Sequence, residues 1–246
     1  MIPLSKKEKM EKAHKRIAVV LLGGDGVRFD PQTPKQFFLF LDKPLFLYPV
    51  STLESSDLID EILIVTKANT QEKVRAYLEE YSISKAIGVI EGGETRQKSS
   101  LRALEYLKAN GAKEEDIVLI QDGDRPNLSL DLIKESVLEA ERKGASVVAI
   151  PSTDSIFLSK SEKKEVDSYL DRSLVYRVQT PQTFRFGLIY KSAKDNGEKK
   201  VTDDASLVKE MGFDVAIVLG SEDNFKINTK EDGKKFLLFL ERREKA

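Results

Sequence analysis

Residues 17–28 read IAVVLLGGDGVR, an apolar run that leads directly into a glycine-rich loop. The run 17–22 is rich in β-branched residues and is bounded by glycine, which is typical of a buried parallel strand. Glycines after a strand let the backbone approach a ligand closely and turn its N–H groups toward an anion. Arg28 and, shortly after it, Lys35 add a guanidinium and an ammonium suited to phosphate oxygens. The stretch therefore predicts a first strand followed by a polyphosphate-binding loop.

Further strand-like runs alternate with helical stretches along the chain. The predicted strands are 17–22, 61–66, 87–90, 117–121, 146–150 and 215–219. The predicted helices are 49–58, 69–81, 99–108, 129–143 and 188–196, with Ser129 as an N-cap and Gly111 and Gly144 just past helix ends. This alternation predicts an α/β fold with a mainly parallel sheet covered on both faces. In such folds ligands bind beyond the carboxyl ends of the strands.

One stretch, about 152–179, interrupts the alternation. It contains a strand-like segment 155–158, a charged turn 159–165 and a second extended segment 173–178. This pattern predicts a projecting β-hairpin arm. Because an isolated hairpin is marginally stable in water, we expect the arm to pack on a second subunit. We interpret residues 1–16 as a charged N-terminal lead and residues 17–246 as one domain that includes the arm.

Composition excludes several classes of function. The 246 residues include 40 Lys plus Arg against 41 Asp plus Glu, a balance that argues against nucleic-acid binding and against anionic membranes. There is no cysteine and one histidine, His14, so thiolate catalysis, a Ser-His-Asp triad and a histidine-rich metal centre are not expected. A metal would have to use oxygen ligands, which favours Mg²⁺. Without a signal peptide or an apolar run of membrane-spanning length, a cytoplasmic location is expected.

Two common phosphate-binding motifs do not fit the glycine loop. Phe29 stands where a dinucleotide-binding fingerprint needs its third glycine, and no Gly-Lys-Ser/Thr follows as in a Walker A loop. The two cations therefore belong to an irregular loop that could wrap a triphosphate.

Several ordered motifs together resemble the cytidylyltransferases that act on sugar or polyol phosphates, and above all the 2-C-methyl-D-erythritol 4-phosphate cytidylyltransferase family. The motifs are Gly24-x-Gly26-x-Arg28, Pro34-Lys35-Gln36, Gly92-Gly93-x-x-Arg96-x-x-Ser99, Asp122-x-x-Arg125-Pro126, Asp154-Ser155, Arg172, Thr180-Pro181-Gln182, Thr202-Asp203 and Asp223-Asn224-Phe225-Lys226. The resemblance runs from Ile17 to about Phe239. It implies a three-layer, Rossmann-like nucleotidyltransferase sheet, CTP and a sugar or polyol phosphate as substrates, and a homodimer joined through the arm.

The resemblance also implies roles for individual residues. Arg28, Lys35 and Lys226 would stabilise charge on the triphosphate, Lys226 from a late strand. The nucleotide-binding residues would be Leu22, Gly23, Gly24, Gly26, Gly93, Ser99, Asp122 and Gly123. Arg125, Ser155 and Arg172 would hold the acceptor, the last two in the neighbouring subunit's site. Asp122 and Asp223 would place Mg²⁺.

The chemistry suits a chain with so little histidine. The attacking group would be a phosphate monoester, whose second pKa of about 6 leaves it largely ionised at neutral pH, so no general base is required. Catalysis reduces to holding two anions close together and stabilising the charge that develops. Pyrophosphate is the leaving group.

Alternatives remain at this point. The acceptor could be ribitol 5-phosphate, or the chain could be a nucleotide-binding protein impaired by Asp25 and Asp124, carboxylates in or near the expected site. Lys226 could be a solvent-facing strand lysine, Arg172 could pair with Asp171 or Asp167, and Asp122 could cap a turn. Ser155 could be an ordinary strand residue, and Thr202 and Asp203 are expected only to cap the following helix. Gln121 also departs from the histidine that is usual in the family.

Overall fold

The computed structural model describes residues 14–24, 29, 34–160, 164–196 and 201–244. Its central sheet has seven strands in the order β11-β7-β10-β6-β1-β4-β5. In chain order the strands are β1 (Arg16–Leu21), β2 (Leu39–Phe40), β3 (Lys43–Pro44), β4 (Glu61–Thr66), β5 (Ala86–Glu91), β6 (Ile117–Asp122), β7 (Ala145–Pro151), β8 (Ile156–Lys160), β9 (Glu165–Leu170), β10 (Tyr176–Arg185) and β11 (Ala216–Leu219). β2 pairs with β3 and β8 pairs with β9 in separate two-stranded ribbons.

The helices cover both faces of the sheet. They are α1 (Leu47–Ser55), α2 (Gln71–Glu80), α3 (Arg96–Ala109), α4 (Leu130–Lys143), α5 (Phe186–Asn196), α6 (Asp204–Glu210) and α7 (Lys230–Glu244). Ala18 and Val20 of β1 pack in a core with α1, α2 and α4, whereas Ile17 and Val19 pack in a second core with α3, α5 and α6. Because side chains on both faces of the sheet are buried, β1 has a continuous apolar run and does not alternate between apolar and polar residues.

Local signals in the sequence place several helix ends. The Ser129 side chain accepts a hydrogen bond from the Leu132 N–H at 3.2 Å, so the predicted N-cap of α4 is confirmed. Gly144 ends α4 with φ of 91° and Gly111 follows α3 with φ of 88°, a left-handed conformation that favours glycine. The Asp203 carboxylate accepts from the Ser206 N–H at 2.8 Å, so the predicted cap of α6 is also confirmed.

The region of the arm needs one correction. The ribbon β8–β9 projects from the sheet as predicted, but its second strand is Glu165–Leu170 and not 173–178. A short turn of 3-10 helix, Arg172–Leu174, follows, and the chain then enters the main sheet as β10, between β7 and β6 and antiparallel to both. The sequence analysis assigned the start of this strand to the arm and predicted no strand beyond residue 178, where the buried positions include several polar residues. They are accommodated by internal hydrogen bonds, such as those that the Gln182 side chain accepts from the N–H groups of Asp204 and Ala205, each at 3.0 Å.

A third, small core lies beside the sheet and contains Phe29, Phe40, Leu45, Ile227 and Phe236. It joins the segment after the glycine loop to the segment before α7. Through it, residues near the two ends of the chain are held together at one edge of the fold. Within the described ranges, no helix is both long and apolar enough to cross a membrane.

Candidate nucleotide-transfer site

Two adjoining pockets lie at the carboxyl ends of β1, β5 and β6. The first pocket, of about 180 Å³, is lined by Leu21, Gly23, Gly24, Gly93, Glu94, Thr95, Arg96, Ser99, Asp122, Asp124 and Lys226. The second pocket, of about 250 Å³, is lined by Arg96, Asp122, Arg125, Val178, Gln179, Thr180, Gln182, Thr202, Asp203 and Lys226. Arg96, Asp122 and Lys226 line both. These three residues therefore stand where a ligand of one pocket would meet a ligand of the other.

Glycines keep one wall of the first pocket free of side chains. The Gly93 N–H donates to Ser99 Oγ at 3.0 Å, which fixes the turn before α3. A Cβ on Gly93 would lie 2.3 Å from Lys98 Cβ and 2.9 Å from the Lys98 carbonyl carbon, so no larger residue fits there. Gly23 lies across from Ser99, because a Cβ on Gly23 would be 3.8 Å from its Oγ. The structure thus brings the predicted nucleotide-binding residues Gly23, Gly24, Gly93 and Ser99 to one pocket.

Leu22 and Gly123 support this wall from behind. The Leu22 N–H donates to the Val65 carbonyl at 2.8 Å, and its own carbonyl accepts from Gln36 Nε2 at 3.0 Å. A Cβ on Gly123 would lie 2.1 Å from Leu22 Cδ2, so glycine permits the close approach of β1 and β6 ends. Neither residue lines the first pocket itself. Gly26 and Arg28, and the loop carboxylate Asp25, fall outside the described residues.

Asp122 is the centre of the charged groups. Its Oδ1 is 3.2 Å from Arg96 Nε, its Oδ2 is 3.0 Å from Lys226 Nζ, and Arg125 Nε is 3.8 Å from Oδ2. Burial by itself would raise the pKa of Asp122, but these three cations more than offset it and hold the pKa well below its ordinary value. The backbone N–H of Asp122 donates to Thr180 Oγ1 at 3.2 Å, which joins β6 to β10 at the pocket. A carboxylate that stays ionised is therefore fixed between the two pockets.

Arg96 connects Asp122 to the start of α6. Its Nη1 is 2.5 Å from Oδ2 of Asp204, a carboxylate with no exposed surface. Burial would lower the pKa of Arg96, but the carboxylates of Asp204 and Asp122 raise it above its ordinary value. The sequence motif Gly93-x-x-Arg96-x-x-Ser99 contained this arginine, yet no role was predicted for it. Its partners are distant in the chain, so spacing alone could not identify them.

Lys226 lies on an irregular segment between β11 and α7, so the predicted late strand is wrong. The Asn224 side-chain amide donates to the Thr180 carbonyl at 2.8 Å, which ties this segment to β10. The Ile227 N–H then donates to the Asp124 carbonyl at 2.9 Å. Burial would lower the pKa of Lys226, but Asp122 and Asp124 raise it above its ordinary value. Lys226 lines both pockets, as the predicted role requires.

Lys35 lies close to this group but is screened from the first pocket. Its Nζ contacts Asp124 Oδ2 at 2.6 Å and the Ile227 carbonyl at 2.7 Å. Asp124, which the sequence marked only as a departure from the family pattern, also lies 3.4 Å from Lys226 Nζ through Oδ1. The two lysines predicted to be catalytic thus share one carboxylate.

The residues predicted to bind the acceptor are not all in one place. Arg125 lines the second pocket, donates to the Asn224 carbonyl at 2.8 Å and has its pKa lowered, chiefly by burial. Ser155 and Arg172 are exposed on the arm side and line neither pocket. The Arg172 guanidinium donates to the Thr153 carbonyl at 3.3 Å. Asp171 instead caps the following turn by accepting from the Ser173 N–H at 3.0 Å.

The predicted metal ligands are also separated. Asp122 lines both pockets, whereas Asp223 is exposed and lines a third cavity together with Asn127, whose Nδ2 donates to the Asp223 carbonyl at 2.8 Å. In the part of the chain that the structure describes, no group of three or more acidic or histidine side chains could hold a metal alone. Of the two predicted ligands, Asp122 lies at the first pocket, where its ionised carboxylate is a hard oxygen donor that fits a cation also bound by ligand phosphates.

Comparisons with known proteins agree on one family. The family model of 2-C-methyl-D-erythritol 4-phosphate cytidylyltransferase (IspD) matches residues 16–241. A curated protein of that name from Thermosipho melanesiensis is 38% identical over 217 residues, which cover 88% of this chain and 93% of the relative. A ribitol-5-phosphate cytidylyltransferase from Lacticaseibacillus paracasei is 29% identical over 232 residues, 92% of this chain and 98% of the relative. The crystal structure of 4-diphosphocytidyl-2C-methyl-D-erythritol synthase from Anaerococcus prevotii superposes with a TM-score of 0.79 at 26% identity, covering 93% of this chain and 96% of that one.

Proposed function

The chain belongs to the 2-C-methyl-D-erythritol 4-phosphate cytidylyltransferase family, and on that premise we propose that it transfers a cytidylyl group from CTP to 2-C-methyl-D-erythritol 4-phosphate with release of pyrophosphate. The observation that carries the proposal is the pair of pockets that meet at Asp122, Arg96 and Lys226. A transfer between two anions needs a cationic junction between two binding sites, and this geometry supplies one.

The two pockets suit different parts of the reaction. The glycine-lined first pocket accepts the nucleotide, with Gly93 and Ser99 beside the base. The second pocket holds the acceptor phosphate, for which Arg125 supplies a guanidinium. Lys226, which lines both, draws the attacking phosphate oxygen toward the α-phosphorus and stabilises the charge that develops there. Lys35 and Arg28 act on the triphosphate. No proton needs to be removed from the attacking phosphate at neutral pH, since its second pKa is about 6.

A divalent cation such as Mg²⁺ completes this proposal. Asp122 would hold the cation together with phosphate oxygens of CTP. When bound, it neutralises charge on the triphosphate and favours departure of pyrophosphate. The predicted role of Asp223 gains no support from its position at the third cavity.

The test is pyrophosphate release by the purified protein with CTP, Mg²⁺ and one acceptor at a time. Methylerythritol phosphate is expected to support release, and CTP without an acceptor is the matched control. Ribitol 5-phosphate is the second candidate, because one relative bears that name over nearly the whole chain. Release with ribitol 5-phosphate alone would replace the first acceptor with the second. Tight CTP binding with no release from any acceptor would instead support a nucleotide-binding protein without turnover.

We also propose a homodimer formed through the arm. Its support is the exposed apolar surface there: Phe157 is 48% exposed, Tyr169 71% and Leu174 79%. Such a patch is typical of a protein–protein interface. Light scattering of the purified protein is expected to give twice the chain mass. Leu174→Asp is expected to give a monomer, whereas Lys191→Asp, on the exposed surface of α5, should leave the dimer intact.

A mixing experiment tests whether Arg172 acts in the neighbouring subunit's site. Lys35→Ala and Arg172→Ala are each expected to be nearly inactive as homodimers. If Arg172 serves the neighbouring site, a mixed dimer contains one site with both residues intact, and activity returns on mixing. If both residues serve the same subunit, every site in the mixture lacks one of them and activity does not return.

A further inference from the structure

The ammonium of Lys35 is fully engaged by protein atoms. It forms an ion pair with Asp124 Oδ2 at 2.6 Å and donates to the Ile227 carbonyl at 2.7 Å and to Asn228 Oδ1 at 3.4 Å. An ammonium has three N–H donors, and three protein oxygens surround this one. The Lys35 side chain is 8% exposed and is not part of the lining of the first pocket. As arranged here, Lys35 does not present a free donor to a ligand.

The side chain that stands between Lys35 and the first pocket is that of Asp124. Asp124 lines this pocket, and its carboxylate lies between the two lysines, 2.6 Å from Lys35 Nζ and 3.4 Å from Lys226 Nζ. Oδ1, the oxygen that makes the second contact, is buried with no hydrogen-bond partner. The Asp124 carboxylate therefore lies between the ammonium groups of Lys35 and Lys226, and its Oδ1 accepts no hydrogen bond.

We propose that Asp124 is a positioning residue that holds Lys35 as an internal counter-ion, and that the triphosphate must displace this carboxylate before Lys35 can contact phosphate oxygens. The inference rests on the proposed function, because it takes the triphosphate of CTP as the displacing anion. The contact between Asp124 and Lys35 has two effects. Asp124 lowers the affinity for CTP, since its bond to Lys35 must break, and it keeps the Lys35 side chain at a defined place beside the pocket until then.

A purely structural role for Asp124 predicts the opposite result. Its carboxylate also lies 3.4 Å from Lys226 Nζ, so the side chain helps to hold the segment that carries Lys226. If the side chain served only to maintain that segment, its removal would weaken CTP binding. The sign of the change in affinity therefore distinguishes the two roles.

The experiment measures the dissociation constant of CTP by calorimetry on the full chain, in wild type, Asp124→Asn and Asp124→Glu. Asp124→Asn is expected to bind CTP about tenfold more tightly, which corresponds to about 1.4 kcal/mol, and to show a lower kcat because Lys35 loses its positioner. Asp124→Glu keeps the charge and should return both values toward wild type. Cytidine is the matched ligand, since it has no phosphate to displace the carboxylate, and its affinity should not change. Asp124→Ser, which is smaller, replaces Asp124→Asn if the latter does not fold.

A second substitution shows whether the effect passes through Lys35. In a Lys35→Ala background, Asp124→Asn is expected to change CTP affinity by less than about threefold, because coupled residues lose their interaction energy when one partner is absent. Unchanged or weaker CTP binding by Asp124→Asn overturns the inference, and so does a full tenfold gain that persists without Lys35. These results leave the proposed function intact. Absence of CTP binding by folded wild-type protein would instead overturn the proposed function and this inference with it.

Discussion

Replacing Arg96 by methionine should destabilise the protein far more than a surface arginine substitution would. Arg96 Nη1 lies 2.5 Å from Oδ2 of Asp204, which has no exposed surface, and the other oxygen of Asp204 has no hydrogen-bond partner. Without Arg96, this carboxylate remains buried and loses its cation. Breaking a buried ion pair from one side costs about 3–5 kcal/mol, so we expect a loss of that size in the free energy of unfolding.

The same helix offers a matched control. Arg102 of α3 is 49% exposed and lies 3.8 Å from the carboxylate of Glu91. Arg102 also donates to the Gly92 carbonyl. Because an exposed ion pair contributes up to about 1 kcal/mol and a hydrogen bond about 1 kcal/mol, Arg102→Met should lower the free energy of unfolding by no more than about 2 kcal/mol. Both substitutions replace an arginine in one helix with the same apolar side chain, so helix propensity is nearly constant between them.

Urea unfolding at fixed protein concentration, followed by circular dichroism, measures the difference. The double variant Arg96→Met with Asp204→Asn should recover part of the loss, because it removes the charge that Arg96→Met leaves unpaired. An Arg96→Met variant no less stable than Arg102→Met would refute the reasoning. So would a double variant that is additive, since it would show that Arg96 and Asp204 do not depend on each other.

Three further predictions concern the site. In the pyrophosphate-release assay, Lys35→Ala should lower turnover by at least about 100-fold, which is the scale seen when one transition-state contact is removed. Lys134 is exposed on α4, so Lys134→Ala should leave turnover unchanged in the same assay. Gly93→Ala should lose about 1–3 kcal/mol of stability, because its Cβ would lie 2.9 Å from a backbone carbonyl carbon of α3. Gly23→Ala is the control and should lose little, because its Cβ would lie 3.8 Å from the nearest atom. Equal melting temperatures for the two variants would contradict this prediction. The pKa of Asp122 is lower in the folded than in the unfolded chain, so its stabilisation is present above the unfolded value of about 3.9 and is lost as the pH falls below it. Unfolding free energies measured from about pH 6 to pH 3 should therefore fall more steeply for wild type than for Asp122→Asn, and parallel curves would exclude this contribution.

The sheet could be predicted because its signals are local. The run 61–66 matches β4 to the residue, since burial on both faces makes its four central residues apolar without interruption. β10 could not be predicted in the same way. Its buried residues include Gln179, Thr180 and Gln182, whose polarity is compensated only by partners elsewhere in the chain, such as Asn224 Nδ2, 3.2 Å from Gln179 Oε1.

The residues of the site show the same difference between local signals and contacts with distant parts of the chain. Glycines that must approach a neighbour closely, Gly93 and Gly123, stood out in the sequence because residue type alone carries that information. The pairing of Arg96 with Asp204, and of Lys35 with Asp124, depends on which distant segments meet, and a single sequence does not contain that information. Asp124 was recognised only as an unexpected charge, although the structure places it against both lysines.

The bond from Lys35 Nζ to the Ile227 carbonyl joins residues that are 192 positions apart. During synthesis on the ribosome, the segment that carries Lys35 therefore emerges long before its partner. β1, β4, β5 and β6 can pair with one another while the last quarter of the chain is still absent, but the bond between Lys35 and Ile227 cannot form until residue 227 has left the exit tunnel. Closing so long a loop also carries an entropic penalty that local contacts must first offset. The CTP binding proposed above would thus begin only after the segment with Lys226 and Ile227 has been synthesised.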